Sequence, residues 1–251
     1  REEEVLERAG RLRRAGVIRR LSAIFDLDRL GYKSSLVAMA VDAARLDDAA
    51  AVVSAHPGVS HNYARDHRFN LWFVLAIPRE RDFEATVARM REAAGASRAI
   101  LLPALRQYKL DVRYDMEEGI GGSNGEPAGM GEGPGRDLTR EEIDLVRVLQ
   151  RDLPIAPRPF AEGAHALRVS EDELLVRARE MLDERIMRRF AAVLRHREAG
   201  FRANGMACWV APEDRIDEVG EELAASPQVS HCYRRPAYPP DWPYALFSMV
   251  H

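Results

Sequence analysis

Residues 59–67, VSHNYARDH, bring two imidazoles, a phenol and a guanidinium together directly ahead of the apolar run NLWFVLAIP. An imidazole titrates near neutral pH, so it can donate a proton or ligate a metal. A guanidinium fork matches a carboxylate. Read as an extended strand, the stretch places His61, Tyr63 and Arg65 on one face by alternation, with His67 following in the turn. Such a face is poor core material, because buried Arg and His need partners. The same types return in VSHCYRRPAYPPDWPYALF, residues 229–247, where His231, Tyr233 and Arg235 share a phase and Arg234 is added beside them. A solvated face with incidental histidines accounts for one copy. Two copies point to an anionic ligand, met by imidazoles that can donate a proton or ligate a metal. Within the second stretch, Trp242 lies in a Pro-rich aromatic loop suited to lidding a flat hydrophobic ligand, and implausible as core filler.

The echo belongs to a longer duplication. EVLERAGRLRRAGVIRRLSAIFDLDRLGYKSSLVAMAV from Glu4 aligns with ELLVRAREMLDERIMRRFAAVLRHREAGFRANGMACWV from Glu173. Ile18-Arg19-Arg20 falls on Met187-Arg188-Arg189 at an offset of 169, and the histidine motif follows at 170. Between the copies, residues 117–137 hold eight glycines and two prolines, the composition of a flexible tether. The two halves therefore read as fused subunits that pair with each other.

Each copy has two parts. In the second, LTREEIDLVRVLQRD shows helical spacing, FAEGAHALRV follows a Pro-rich turn, and SEDELLVRAREMLDERIMRRF opens on Ser170 with Glu173 three residues on, the spacing of a capping box. Three helices followed by strands read as a helix-turn-helix or winged helix. Copy one then runs strand, helix, strand, strand, helix, strand, the βαββαβ order of a ferredoxin-like plait, with ILLPALRQYKLDV as its last strand. The expected division is 1–20, a partial helix-turn-helix; 21–116, a plait; 117–137, the tether; 138–190, a helix-turn-helix; and 191–251, a plait without its last helix and strand. The class is α+β. This layout resembles the Lrp/AsnC transcription regulators, which makes a DNA-binding regulator the alternative reading.

Composition narrows the choice. Of 251 residues 46% are hydrophobic and 31% charged, and the net charge is −3. Nucleic-acid affinity rests mainly on clustered cations, and neither the net charge nor the third helices supply them at the right end. Those helices begin with Glu2-Glu3-Glu4 and Ser170-Glu171-Asp172-Glu173, which suit a helix N-terminus but repel phosphate. No nucleic-acid partner is expected. The two cysteines lack metal-ligand spacing and read as reduced thiols of a cytoplasmic protein. No run is long and apolar enough for a membrane helix, so no membrane partner is expected either.

The two histidine strands, the PPDWPY loop and the preceding GVIRR and RIMRRF resemble the siroheme decarboxylases of heme d1 and alternative heme synthesis, in a form with both subunits in one chain. The resemblance implies a carboxy-lyase that converts siroheme to didecarboxysiroheme, with no cofactor beyond the substrate's own iron tetrapyrrole. It implies His61, His67 and His231 as candidate proton donors, His61 or His67 also as axial contact to the substrate's iron. Arg19, Arg20, Arg65, Arg188, Arg189, Arg234 and Arg235 become candidate carboxylate clamps, with Tyr63, Tyr233 and Trp242 positioning the substrate. Expected partners are a second copy of the chain and other heme d1 biosynthesis proteins. Asn70 and Ala245 align where Asn is expected in both, so the two sites need not be equivalent.

Overall fold

The computed structural model describes residues 1–110, 136–195 and 205–250. The order opens with α1 (Glu2–Arg14), β1 (Ile18–Phe25), β2 (Tyr32–Ala40), α2 (Leu46–Ser54), β3 (Val59–Ala64) and β4 (Leu71–Pro78). It continues with α3 (Phe83–Ala93), β5 (Arg98–Leu102), β6 (Arg106–Leu110), α4 (Arg140–Leu149), α5 (Ala161–Leu167) and α6 (Glu171–Asp183). It closes with β7 (Met187–Leu194), β8 (Gly205–Trp209), α7 (Ile216–Ala225), β9 (Val229–Arg234) and β10 (Leu246–Val250). Most of the expected tether, and His196 of the second copy, lie outside the described residues. The described residues form two compact units, one from 1–31 and 136–195, the other from 32–110 and 205–250.

In the first unit α4, α5 and α6 bury Leu145, Leu149, Ala164, Leu174, Ala178 and Met181 around a common core. The full capping box sits on α4: Thr139 Oγ1 accepts from the Glu142 N–H, and the Glu142 carboxylate accepts from the Thr139 N–H at 2.7 Å. The box expected at Ser170 is only half formed. Ser170 Oγ accepts from the Glu173 N–H, but the Glu173 carboxylate is held by Arg177 at 2.6 Å. Strand β1 pairs antiparallel with β7, Leu21 opposite Ala192 and Ala23 opposite Phe190. The expected boundaries at 20/21 and 190/191 thus fall inside two strands that pair with each other, each drawn from a different copy.

The second unit holds two four-stranded sheets, ordered β3-β4-β2-β5 and β6-β9-β10-β8. Alternation divides each central strand between two cores. Val37 and Met39 of β2, with Leu71, Phe73 and Leu75 of β4, pack on Ala49 and Val53 of α2 and Val87 and Met90 of α3. The intervening Ala38, Ala40 and Trp72 face the other way, where they meet Phe247 of the second sheet together with Trp242. Each large apolar side chain removed from water contributes about 1.5–3 kcal/mol.

The segment expected as one last strand, ILLPALRQYKLDV, is two. β5 joins the first sheet and β6 the second, where it pairs with β9. The break falls after Leu102, at Pro103, which has no N–H for the ladder. On the outer side of the second sheet α7 packs on β9, the Cys232 thiol bonded to the Gly220 carbonyl. The Tyr108 ring of β6 lies so close to Gly220 that an added Cβ would sit 2.5 Å from it.

Candidate active site

The Val-Ser-His triplets fold the same way in both copies. The β3–β4 ladder slips between Val59 and His61, and the β9–β10 ladder slips at the matching place beside His231. The serine is in each case the extra residue of a bulge, which bends a strand and re-aims its side chains. Ser60 Oγ lies 2.9 Å from His61 Nδ1, and Ser230 Oγ 2.7 Å from His231 Nδ1. Two residues on, the Arg65 guanidinium sits 4.9 Å over the Tyr63 ring and Arg235 sits 4.9 Å over the Tyr233 ring. The turn is closed alike in both, Arg65 N–H to the Asn70 carbonyl and Arg235 N–H to the Ala245 carbonyl, each at 2.8 Å.

All six side chains, His61, Tyr63, Arg65, His231, Tyr233 and Arg235, line one cavity of about 460 Å³. Trp72 and Phe247 add aromatic surface, and Leu36, Val74, Met206 and Met249 add aliphatic and thioether surface. That volume lies within the range of small-molecule sites, and an apolar wall with a few convergent polar groups is their usual composition.

The two arginines differ. Arg65 Nη1 donates to the Ala64 carbonyl in an exposed contact. Arg235 Nη1 donates to the Leu102 carbonyl, while its Nε is buried without an acceptor among the described residues. Burial pushes the Arg235 guanidinium down to about 10. No carboxylate pairs with Arg65 or Arg235 among the described residues, and both line the cavity.

A family model described as an AsnC-like ligand binding domain matches residues 29–109 and 198–251, and one described as a siroheme decarboxylase NirDL-like HTH domain matches 142–188. The siroheme decarboxylase of Hydrogenobacter thermophilus is 39% identical over 251 residues, covering 100% of this chain and 74% of its own. The chain belongs to the siroheme decarboxylase family. A crystal structure of the siroheme decarboxylase NirDL, in complex with an iron-uroporphyrin III analogue, aligns over 100% of this chain and 72% of its own with a TM-score of 0.72 and 36% identity. The siroheme decarboxylase beta subunit of Methanosarcina barkeri is 41% identical over 114 residues, 45% of this chain and 74% of its own. The helix-turn-helix followed by a ligand-binding plait is thus the architecture of a siroheme decarboxylase, and the regulator reading is not favoured.

Within this family member the remaining candidate residues are placed elsewhere. His67 does not line the cavity. It closes the β3–β4 turn, Nδ1 accepting from the Phe69 N–H at 3.1 Å, and its ring packs edge-on to Trp242 at 5.2 Å. Arg234 lies on the opposite face of β9 from Arg235, as alternation requires, and bonds to Glu213 at 2.7 Å. Trp242 is not a lid: it is 1% exposed, inserted beside Trp72 and Phe247, so the three-proline loop does fill core. The loop is fastened by Asp241 to Arg68 and Arg98 and by the Tyr238 hydroxyl to the Leu101 carbonyl. Arg19, Arg20, Arg188 and Arg189 belong to the β1–β7 ribbon of the first unit, whereas the cavity is lined from the second unit alone. Arg188 is paired there with Asp26 at 2.8 Å. Sequence reasoning missed Ser60 and Ser230, although their identity within both triplets was the available signal. It also missed the Asp241 latch, whose arginines lie far away in sequence.

Proposed function

We propose that this chain is itself a siroheme decarboxylase, a carboxy-lyase that removes CO2 from two acetate side chains of siroheme to leave methyl groups. The observation that carries the reading is the convergence of two His-Tyr-Arg sets on a single cavity with apolar walls. A flat, carboxylate-rich tetrapyrrole asks for both features at once. Arg65 and Arg235 hold carboxylates that are not reacting and so fix the macrocycle in register. As the bond from the acetate methylene to its carboxylate breaks, the electron pair stays on the methylene carbon and delocalises into the macrocycle. That carbon then takes a proton, and CO2 departs, so atoms and charge balance without an oxidant. His61 and His231 are the proton donors. The serine hydroxyl on Nδ1 fixes each ring's orientation, and Tyr63 and Tyr233 place their rings beside the reacting side chains. No cofactor beyond the substrate's own iron macrocycle enters the scheme. The same reading makes this a cytoplasmic enzyme of heme d1 or alternative heme synthesis that associates with a second copy of itself.

The test is anaerobic incubation of the protein with siroheme, following product mass for loss of two CO2. Unchanged siroheme, together with a salt-sensitive shift of specific promoter DNA, would overturn the proposal in favour of a regulator. Replacing His61 or His231 by Ala is expected to leave binding in place and slow CO2 release by about 10²- to 10⁴-fold.

A further inference from the structure

The two walls of the cavity are related by the duplication, yet one row of side chains across them differs. In the second sheet Met249 stands opposite His231 on β9 and opposite Met206 on β8, so His231, Met249 and Met206 form a row over three neighbouring strands. In the first sheet Val74 stands opposite His61 on β3 and opposite Leu36 on β2. All six residues line the cavity. The registers correspond, so Met249 occupies the place of Val74 and Met206 that of Leu36. Both walls keep the histidine. Its neighbours are branched aliphatics on one side and two thioethers on the other.

We propose that Met206 and Met249 determine the orientation in which the macrocycle binds, and with it which acetate loses CO2 first. The inference rests on the siroheme reading above. A cavity with two-fold pseudosymmetry admits a disc-shaped ligand in two poses, which exchange the acetate that meets His61 with the one that meets His231. The two faces of siroheme are unlike, because its two reduced rings carry tetrahedral carbons. Methionine is unbranched and polarizable, so it follows an irregular surface and makes favourable contacts to π-systems, which Val74 and Leu36 cannot match. Only the difference between the two faces counts: a contact made to one face and lost to the other favours that pose by about 2- to 12-fold, and two such differences make one pose dominant.

The experiment writes the first wall's row into the second, with Met206→Leu and Met249→Val combined in the full chain. Siroheme is supplied anaerobically, the reaction is quenched early, and the singly decarboxylated products are separated and assigned to a ring. The unaltered protein is expected to give one dominant positional isomer. The double variant is expected to give both isomers, in a ratio moving toward equality. A second variant, Met206→Leu with Met249→Leu, keeps side-chain volume and is expected to give the same mixture. The proposal is overturned if either variant keeps the original isomer pattern, or if the unaltered protein already yields both isomers equally. Failure of the unaltered protein to release CO2 from siroheme would remove the functional reading and this inference together, whereas an unchanged isomer pattern removes this inference alone.

Discussion

Replacing Arg65 and Arg235 in turn by Met keeps the apolar stem of each side chain and deletes only the charge and its donors. The two losses are expected to differ greatly. Burial holds Arg235 down at about 10, well below the ordinary guanidinium range, a differential cost of about 3 kcal/mol for carrying its charge without a counterion. An arriving carboxylate recovers that cost. At about 4 Å a pair gains about 4 kcal/mol at an effective dielectric near 20, against about 1 kcal/mol in water. Arg65 makes its contact at an exposed site and lies toward the lower figure. Allowing for desolvation of the incoming carboxylate, R235M should weaken binding of an iron-uroporphyrin by about 10²- to 10³-fold, and R65M by about 5-fold or less. Absorbance titration with the iron-uroporphyrin measures both, and thermal melts of the two variants confirm that each is folded. The pH dependence carries the same sign. A guanidinium binds anions only while protonated, so the contribution of Arg235 is present below about pH 10 and is lost as pH rises through it. R235M should lack that alkaline step. Equal losses at the two positions, or a larger loss at Arg65, would refute the assignment of the buried cation as principal clamp.

Ser60→Ala and Ser230→Ala should each lower kcat by about 2- to 10-fold, the worth of one hydrogen bond, with KM nearly unchanged, as steady-state kinetics on siroheme will read. Glu142→Gln should cost the first unit about 1 kcal/mol, since screening limits an ion pair this close to the surface. Arg136 holds the Glu142 carboxyl down at about 2, so its contribution is complete above pH 4.5 and disappears as pH falls toward 2, measurable by acid titration of helicity in the parent and variant. Gly220→Ala should destabilise the second unit in denaturant by about 1–3 kcal/mol through overpacking on Tyr108, less about 1 kcal/mol of recovered helix propensity.

The grouping of the candidate residues was legible because strand alternation is a local rule. Once residues 59–65 are taken as extended, His61, Tyr63 and Arg65 must share a face, and the second copy repeats the pattern. The same rule assigns Arg234 to the far side of β9, and the pull of its charge toward a clamp role overrode it. His67 was expected in the turn and lies there, but a turn has no period to say whether its ring reaches the cavity. Trp242 was misread because prolines mark a loop by its backbone, while burial is decided by the gap that Trp72 and Phe247 leave between two sheets. Arg19, Arg20, Arg188 and Arg189 follow the duplication as faithfully as the histidines do, yet similarity between copies does not say which unit a strand joins. Pro103 was a visible signal that the last strand of copy one breaks, but not that its second half pairs with β9 of the other copy.

That pairing, with β1 against β7, bears on how the chain is inherited. Neither repeat carries all the backbone partners that either unit needs: the ribbon takes one strand from each, and the second sheet borrows β6 from the first repeat. A gene split between the repeats would therefore yield two polypeptides bound to remain each other's obligate companions, and neither could be lost, duplicated or recruited to another task alone. Changes to the backbone of β9 are likewise answerable to a strand more than a hundred positions upstream.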